Sequence, residues 1–367
     1  MKKNILYIAF TDKTTDSRTR DLLKVSKLLG NVFYIGLSND ECNEKNALYI
    51  KKRDSKIVTY ILFCYTVLKY AYGKKIDILF IDNYHGCFLE IFLRFISKFK
   101  FVIQDVRELY LYNDLPTIYG KALLWFEKRI MKKANVVICP NVYRANICKG
   151  LFDLPQVPLV FENIHWLKHN FSSKRNKYIK IAITDGLSKE RMTDAIIGAV
   201  DKLGEKYHFY ICGHYTENDI QYLKRSLKGE SMDKIHFMGV MDYSELGEFL
   251  PTCDIGIVKY NYNNLNNIFC ASGKLYEFVM AGLPVVTTEQ IELKDICKKK
   301  GIGEADNSFV RAIELVANNI DYYRDNVLKF QKEILSRDYI KECATSIKEK
   351  IDRNGFDYTV LKRSINE

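Results

Sequence analysis

A lysine and a glutamate three residues apart form the most informative feature of this sequence. Lys274 and Glu277 follow Ser272, which can cap a helix by accepting a backbone N–H bond. Both side chains then lie on one face of the first turn, beside free amides and the positive end of the helix dipole, which attract anions. Gly282 can end this helix, and Pro284 cannot continue it. The pattern predicts an anion site at the start of a short helix.

The composition is typical of a globular chain large enough for two domains. It has 367 residues, of which 47% are hydrophobic, and this excludes a disordered chain. The longest apolar run, at residues 57–72, contains Lys69 and is interpreted as a buried or interfacial helix. The ten cysteines include no Cys-x-x-Cys pair. They argue against a zinc site or a disulfide scaffold and fit the reducing cytoplasm.

Positive charge is concentrated in the N-terminal half. Residues 1–165 contain 26 Lys and Arg against 16 Asp and Glu, whereas residues 166–367 contain 30 against 29. This asymmetry indicates an anionic partner for the first half. The basic segment 121–133, with Trp125 and Phe126, can lie on an anionic membrane surface, although a core-facing helix with a solvated basic side is the alternative. No nucleic-acid module is recognised, so we expect no nucleic-acid partner.

Apolar runs and helical patterns alternate twice along the chain, which predicts two parallel sheets with helices on both faces. The Pro- and Asn-containing stretch 155–177 separates the two series and is interpreted as a linker. The predicted strands are 4–10, 32–37, 77–81, 101–104, 136–139, 179–184, 207–212, 235–238, 255–258 and 284–288. The predicted helices are 18–29, 57–72, 88–98, 119–133, 192–203, 219–228, 243–251, 273–281, 309–317 and a tail at 334–352.

The string Lys-Leu-Tyr-Glu-Phe-Val-Met-Ala-Gly-Leu-Pro-Val-Val at residues 274–286 resembles the C-terminal signature of retaining, GT4-like glycosyltransferases with the GT-B fold. The resemblance implies that Glu277 binds the ribose of a sugar nucleotide and that the helix start approaches the diphosphate. A plain strand–helix–strand unit with a surface Lys–Glu pair is the alternative. The residues that the resemblance places at this helix start are Ser272, Gly273, Lys274 and Leu275.

Three further segments of the second half resemble the nucleotide-binding parts of this family. Residues 185–193 resemble its glycine-containing loop, and Arg191 matches the position that binds the diphosphate, with Lys189 as a second candidate and Gly186 in the turn. A guanidinium forks onto phosphate oxygens, although an ordinary solvated arginine is the alternative. Gly213 and Gly239 match glycines that end two strands near the nucleotide, where the backbone must turn tightly.

The first half carries the residues that the resemblance implies for catalysis. Residues 102–109 resemble a family stretch reading Asp-x-His-Glu-Leu, which makes Asp105 and Glu108 candidates facing a cleft. Arg107 replaces the histidine and cannot accept a proton near neutral pH. His85 follows the predicted strand 77–81 and can contact a donor sugar or an acceptor. A surface Asp–Arg–Glu network and a hydrogen-bonded loop histidine are the alternatives.

The sequence departs from the family at three places. Phe269 occupies the position where many members carry a second glutamate that reaches the donor sugar. No glycine occurs before Gly30, although many members carry glycines in the first loop. No Asp-x-Asp pair occurs, so the diphosphate is expected to be held by Arg191, Lys274 and helix amides without a metal ion.

These features predict an α/β chain with the GT-B fold, in which two Rossmann-like doubly wound domains face a central cleft. Residues 1–165 are expected to bind the acceptor and residues 166–335 the nucleotide sugar, and residues 336–367 to form a helical tail that crosses back to the first domain. The expected protein is a metal-independent hexosyl- or N-acetylhexosaminyltransferase. It has no cofactor and uses a nucleotide sugar, with a UDP-sugar favoured.

The expected reaction is retaining transfer to a glycan or lipid-linked acceptor in the synthesis of a surface polysaccharide such as capsule or lipopolysaccharide. The protein is expected to be cytoplasmic, with contact to the inner face of the plasma membrane through its basic half. Two alternatives are a GT-B sugar-nucleotide epimerase and a non-catalytic GT-B partner subunit. Phe269 and the glycine-free first loop motivate the second alternative.

Overall fold

A computed structural model describes residues 2–39, 44–165, 177–188 and 191–364, with side chains up to residue 353. The chain divides into two compact units. The N-terminal unit comprises Met1–Glu162 with Asp338–Glu367, and the C-terminal unit comprises Asn163–Arg337. The divisions therefore follow residues 162 and 337, whereas the sequence places them after residues 165 and 335.

The N-terminal unit is built on a seven-stranded sheet in which every neighbouring pair is parallel. The strand order is 3-2-1-4-5-6-7, and apolar side chains are buried on both faces. The strands are β1 Lys3–Ala9, β2 Gly30–Ser38, β3 Ala47–Lys51, β4 Ile78–Asp82, β5 Phe101–Asp105, β6 Val136–Cys139 and β7 Leu159–Val160. The helices are α1 Ser17–Leu29, α2 Lys56–Ala71, α3 Leu89–Ile96, α4 Ile118–Met131 and α5 Val142–Leu151.

The C-terminal unit is built on a six-stranded parallel sheet of order 10-9-8-11-12-13. The buried side chains of β8, β9 and β11 pack with α6 and α12 in its core. The strands are β8 Ile179–Ile183, β9 Tyr207–Cys212, β10 Ile235–Gly239, β11 Ile255–Val258, β12 Val285–Thr287 and β13 Gly303–Ala305. The helices are α6 Thr193–Lys202, α7 Glu217–Ser226, α8 Tyr243–Phe249, α9 Leu265–Ile268, α10 Gly273–Met280, α11 Ile291–Lys300, α12 Val310–Asn318 and α13 Ile320–Ser336.

The last helix, α14 (Tyr339–Ser364), belongs to the N-terminal unit. Its side chains Ala344, Ile347 and Ile351 are buried in the same core as Leu22 of α1. The single tail helix predicted at 334–352 is therefore wrong, because α13 ends at Ser336 and a new helix starts at Tyr339 after a two-residue break.

The predicted fold class is confirmed, since both units are parallel α/β sheets with helices. The sequence missed the strands β3, β7 and β13, which have five residues or fewer, and the helices α5, α9, α11 and α13. Among the described helices, none combines the length and apolar character needed to cross a membrane.

Candidate functional site

The start of α10 has the capped geometry that the sequence predicts. The Ser272 hydroxyl oxygen accepts a bond from the Leu275 backbone N–H at 3.3 Å. Gly282, with φ of 77°, follows the helix in the left-handed conformation that favours glycine. A Cβ at Gly273 would lie 2.5 Å from the ring of His165. This position therefore requires glycine for the close approach of that ring.

Glu277 lies one turn into α10 and is only 5% exposed. Its Oε1 is 2.7 Å from Nδ1 of His165, its Oε2 accepts from the Thr184 hydroxyl at 3.5 Å, and the Lys274 Nζ lies 3.9 Å away. Burial works to raise the pKa of this carboxyl, but these three groups together hold the pKa below its usual value. Glu277 is therefore a preoriented, ionised acceptor at neutral pH.

Lys274 connects the start of α10 to the end of β8. Its Nζ donates to the Thr184 carbonyl oxygen at 3.1 Å, and the side chain remains about one-third exposed. The Leu275 side chain is buried, and its amide is already bound to Ser272. Of these predicted ligands, Lys274 can meet a phosphate from solvent, whereas the Leu275 amide is engaged in the cap.

Three glycines bring the ends of β8, β9 and β10 close together. Gly186, Gly213 and Gly239 have φ of 71°, 109° and 74°. The Gly213 N–H donates to the Gly239 carbonyl at 2.7 Å, and the Gly186 N–H donates to the Cys212 carbonyl at 2.9 Å. A Cβ at Gly186 would lie 2.0 Å from the His214 carbonyl oxygen. Because both its φ and its neighbours exclude a side chain, Gly186 sets the path of this loop.

Arg191 stands at the end of the same loop, just before α6. It is exposed, and its guanidinium donates to the Asp185 carbonyl oxygen. The following Met192 has φ of 56° and precedes the first residue of α6 without a side-chain cap. Lys189, the second predicted phosphate ligand, lies outside the described residues.

Lys259 is a buried cation that the sequence analysis missed. It follows β11 directly, and its Nζ donates to Asp185 Oδ1 at 2.7 Å and lies 3.4 Å from the Gly186 carbonyl oxygen. Burial lowers the pKa of Lys259, while Asp185 opposes this effect. A lysine placed immediately after an apolar strand is the sequence signal that could have identified it. Lys259 holds the loop that carries Gly186 and Arg191.

Asp105, one of the predicted catalytic residues, lies in a buried ion cluster of the N-terminal unit. The Arg18 guanidinium binds both carboxylate oxygens of Asp105, at 2.9 and 2.5 Å. Arg107 lies 3.3 Å from Asp105 and 2.6 Å from Asp82, and it also pairs with Asp16 at 2.5 Å. Asp105 is fully buried. Its geometry favours a structural role, and the surface network considered from the sequence is in fact internal.

Glu108 and His85 occupy different surroundings from Asp105. The Glu108 carboxylate is partly exposed and lies 3.8 Å from the Arg144 guanidinium. His85 stacks on Tyr84 with ring centroids 4.0 Å apart, and burial together with the charge of Arg107 lowers its pKa to about 4. His85 is therefore neutral near pH 7. The catalytic roles of Asp105, Glu108 and His85 stay predictions.

The C-terminal unit thus gathers an ionised acid, two accessible cations and three glycine turns where its strands end. Open α/β sheets bind ligands at the carboxyl ends of their strands. Fixed amides and cations at such an edge suit a diphosphate. Among the residues that the structure describes, no group of three or more His, Cys, Asp and Glu is placed to hold a metal ion.

Solved structures with the same overall fold are glycosyltransferases. Sucrose-phosphate synthase from Thermosynechococcus elongatus matches with a TM-score of 0.68 and 12% identity, over 99% of this chain and 100% of that one. Anabaena HepE in complex with UDP-glucose matches with a TM-score of 0.69 and 10% identity, over 95% and 99%. WaaG, a glycosyltransferase involved in lipopolysaccharide biosynthesis, matches with a TM-score of 0.66 and 12% identity, over 94% and 99%.

The fold is therefore that of the GT-B glycosyltransferases. Residues 183–319 also match the model of the family described as Glycosyl transferases group 1. This region contains the three glycine turns, Arg191, Lys259 and the whole of α10. This match includes residues 274–286, so the resemblance seen there is confirmed for that part of the chain.

Proposed function

We propose that this protein transfers a sugar from a nucleotide sugar, with a UDP-sugar favoured, to a glycan or lipid-linked acceptor. Glu277 carries the proposal. It is a buried, ionised carboxylate one turn from a capped helix start, beside Lys274 and the glycine turns. A carboxylate with this environment accepts hydrogen bonds from the two ribose hydroxyls of a nucleotide. The helix start and nearby cations then face the diphosphate.

In this proposal the C-terminal unit supplies charge stabilisation rather than a nucleophile. The bond from the anomeric carbon to the diphosphate breaks as the acceptor hydroxyl oxygen attacks that carbon. The leaving diphosphate gains negative charge, and one of its oxygens accepts the hydroxyl proton. Lys274 is partly exposed and Arg191 is exposed, so both can bind that charge. The transfer is retaining, releases the nucleoside diphosphate and needs no metal ion, as the family resemblance implies.

The finer assignments also belong to this proposal. The sugar is a hexose or an N-acetylhexosamine, and the product is a surface polysaccharide such as capsule or lipopolysaccharide. The complexes of HepE with UDP and with UDP-glucose support a UDP-sugar donor, and the match to WaaG supports a polysaccharide pathway. The free cysteines support a cytoplasmic location. Contact with an anionic membrane is supported by the basic N-terminal half, which carries most of the net charge of +11.

The direct test is a hydrolysis screen of nucleotide sugars combined with calorimetry. Glu277→Gln should weaken UDP binding by about 10- to 100-fold, because a ribose acceptor is lost. Lys274→Ala should weaken binding of UDP but leave uridine binding unchanged, since only the former carries phosphates. Lys224→Ala, an exposed lysine of α7, is the matched control and should bind UDP like the parent. If the parent binds no nucleotide, or if Glu277→Gln binds UDP equally well, the proposal is wrong.

A further inference from the structure

A basic cavity lies at the amino-end edge of the N-terminal sheet, where the segments before β5, β6 and β7 meet. Its volume is about 930 Å³. Its floor contains Phe99, Met131 and Leu154, which are buried. The cationic residues that line it are Arg94, Lys100, Lys132, Lys133 and Lys350.

No carboxylate is among the residues that line this cavity in the described part of the chain. Arg94 pairs with Glu90 from outside the cavity and lies over the Phe99 ring at 5.1 Å. Lys350 donates to Gln156 at 2.9 Å, whereas Lys100, Lys132 and Lys133 are exposed. Five cations around a concave apolar floor favour a ligand that is both anionic and partly apolar.

An uncovered apolar surface adjoins this cavity along α2 and α3. One face of α2 is buried through Phe63 and Val67. Its opposite face, however, exposes a row of large apolar side chains at successive turns. A groove of about 480 Å³ separates α2 from α3 and is lined by Tyr65, Tyr72, Phe92 and Phe95 among others. An apolar surface of this kind marks an interaction site.

The aromatic residues of this surface are among the most exposed in the protein. Phe95 is 85% exposed, Tyr72 75% and Tyr65 60%. Arg94 lines the basic cavity and Phe95 lines the apolar groove, so neighbouring residues of α3 contribute to both. Lys69, Lys74 and other exposed lysines flank the aromatic side chains. We call the combined region, α2–α3 with residues 97–100 and 132–133, the basic aromatic face.

We propose that the basic aromatic face docks on an anionic lipid bilayer, with lipid phosphates at the cavity cations and the exposed aromatic side chains in the interfacial layer. Aromatic rings and lysine stems are favoured at that depth of a membrane. Anionic headgroups attract each nearby lysine or arginine. The net charge of +11 favours an anionic surface over a second copy of this chain. The role of this docking, bringing the enzyme to a membrane-linked acceptor, rests on the proposed function.

The sequence predicts membrane contact at residues 121–133, most of which lie in α4. In the structure, this segment contributes little to the basic aromatic face. Leu123, Leu124 and Ile130 of α4 are buried in the core, so these apolar residues are not available to lipid, whereas Trp125 is 48% exposed. Of the predicted segment, Lys132 and Lys133, which directly follow the helix, contribute to the basic aromatic face. The face therefore lies mainly on α2 and α3. The sequence predicts residues 57–72 as a buried or interfacial helix but does not single out α3.

The test is sedimentation of the full chain with vesicles of phosphatidylcholine alone or with one-third phosphatidylglycerol. The charge variant is Lys100→Glu with Lys132→Glu and Lys133→Glu, and it should bind the anionic vesicles more than about tenfold less tightly. Its control reverses the same number of charges on the C-terminal unit, through Lys202→Glu, Lys206→Glu and Lys228→Glu. That control should stay within about twofold of the parent, because its lysines lie outside the docking face.

The apolar contribution has its own variant and control. Tyr72→Ser with Phe95→Ser should reduce binding by more than about fivefold, even at a salt concentration that screens the charges. Tyr322→Ser with Leu335→Ser removes exposed apolar residues elsewhere and should not reduce it. Thermal unfolding and UDP calorimetry on every variant verify that the fold and the nucleotide site are intact.

Three results would overturn the docking proposal. The first is no binding to either vesicle, and the second is an equal loss of binding in the variants and their controls. The third is saturable binding of inorganic phosphate that displaces the protein from vesicles at millimolar concentration. That third result would make the cavity a site for the free anion. Each can occur while the parent still binds UDP. Conversely, vesicle binding by a protein that fails to bind UDP would contradict only the proposed function.

Discussion

His165 and Glu277 are joined by a 2.7 Å contact between Nδ1 and Oε1, so the first residues of the C-terminal unit position the acid of α10. The same imidazole packs against Gly273, where a Cβ would clash with the ring. The histidine therefore fixes the orientation of the carboxylate and fills the space beside the helix start. A site that is already ordered loses less entropy when a nucleotide binds.

The lowered pKa of Glu277 predicts how stability depends on pH. Burial opposes the ionised form, but His165, Lys274 and Thr184 outweigh it, so the folded pKa lies below the unfolded one. Such a group contributes stability above its unfolded pKa of about 4.3, and the contribution is lost as pH falls through the folded pKa. Melting temperatures measured from pH 7 to pH 3 should fall more steeply in the parent than in Glu277→Gln. Parallel curves would contradict this account of the carboxylate.

Substitutions at Asp105 and Glu108 should distinguish a structural carboxylate from a catalytic one. Asp105→Asn leaves the buried Arg18 and Arg107 without part of their counter-charge, and we expect it to lower the free energy of unfolding by about 3–5 kcal/mol. Glu108→Gln alters a 3.8 Å contact between a partly exposed carboxylate and the buried Arg144 guanidinium. It should change the free energy of unfolding by less than about 1 kcal/mol, because no hydrogen bond is lost at that distance.

Denaturant titration and donor turnover, measured on the same samples, distinguish these roles. If Glu108 is catalytic, its variant loses turnover while unfolding like the parent. Unchanged stability in Asp105→Asn would contradict the structural role that the ion cluster assigns to it.

Local sequence rules account for most of the C-terminal site and less of the N-terminal one. The Ser272 cap, the left-handed Gly282 and the glycine turns depend on short-range backbone chemistry, which residue type reveals directly. Arg18, which binds both oxygens of Asp105, lies on α1, 87 residues away in sequence. No periodicity encodes such a contact, so the sequence suggested a surface network. Lys259 was missed for the same reason, because its partner Asp185 is on another loop.

The glycine turn after β8 should tolerate no side chain. Gly186→Ala places a Cβ 2.0 Å from a backbone oxygen at φ of 71°, and we expect a loss of more than about 2 kcal/mol in unfolding free energy together with weaker UDP binding. Gly198→Ala is the matched control, since that glycine lies in α6 and an added Cβ there would point into open space. The control should stabilise the protein by about 0.5–1 kcal/mol. Equal effects of the two substitutions on melting temperature would show that the turn is not constrained.

Lys259 and Asp185 should behave as a coupled pair in a double-mutant cycle. Lys259→Met leaves Asp185 without its 2.7 Å partner, and Asp185→Asn leaves a buried ammonium uncompensated. Each single substitution is expected to lower the free energy of unfolding by about 2–4 kcal/mol. The double variant should lose clearly less than the sum of the two, because it contains neither charge and so leaves none unpaired. Chemical denaturation of the four proteins gives the coupling energy. Additive losses would mean that the two groups act separately, and the loop carrying Arg191 would then be held by its backbone bonds alone.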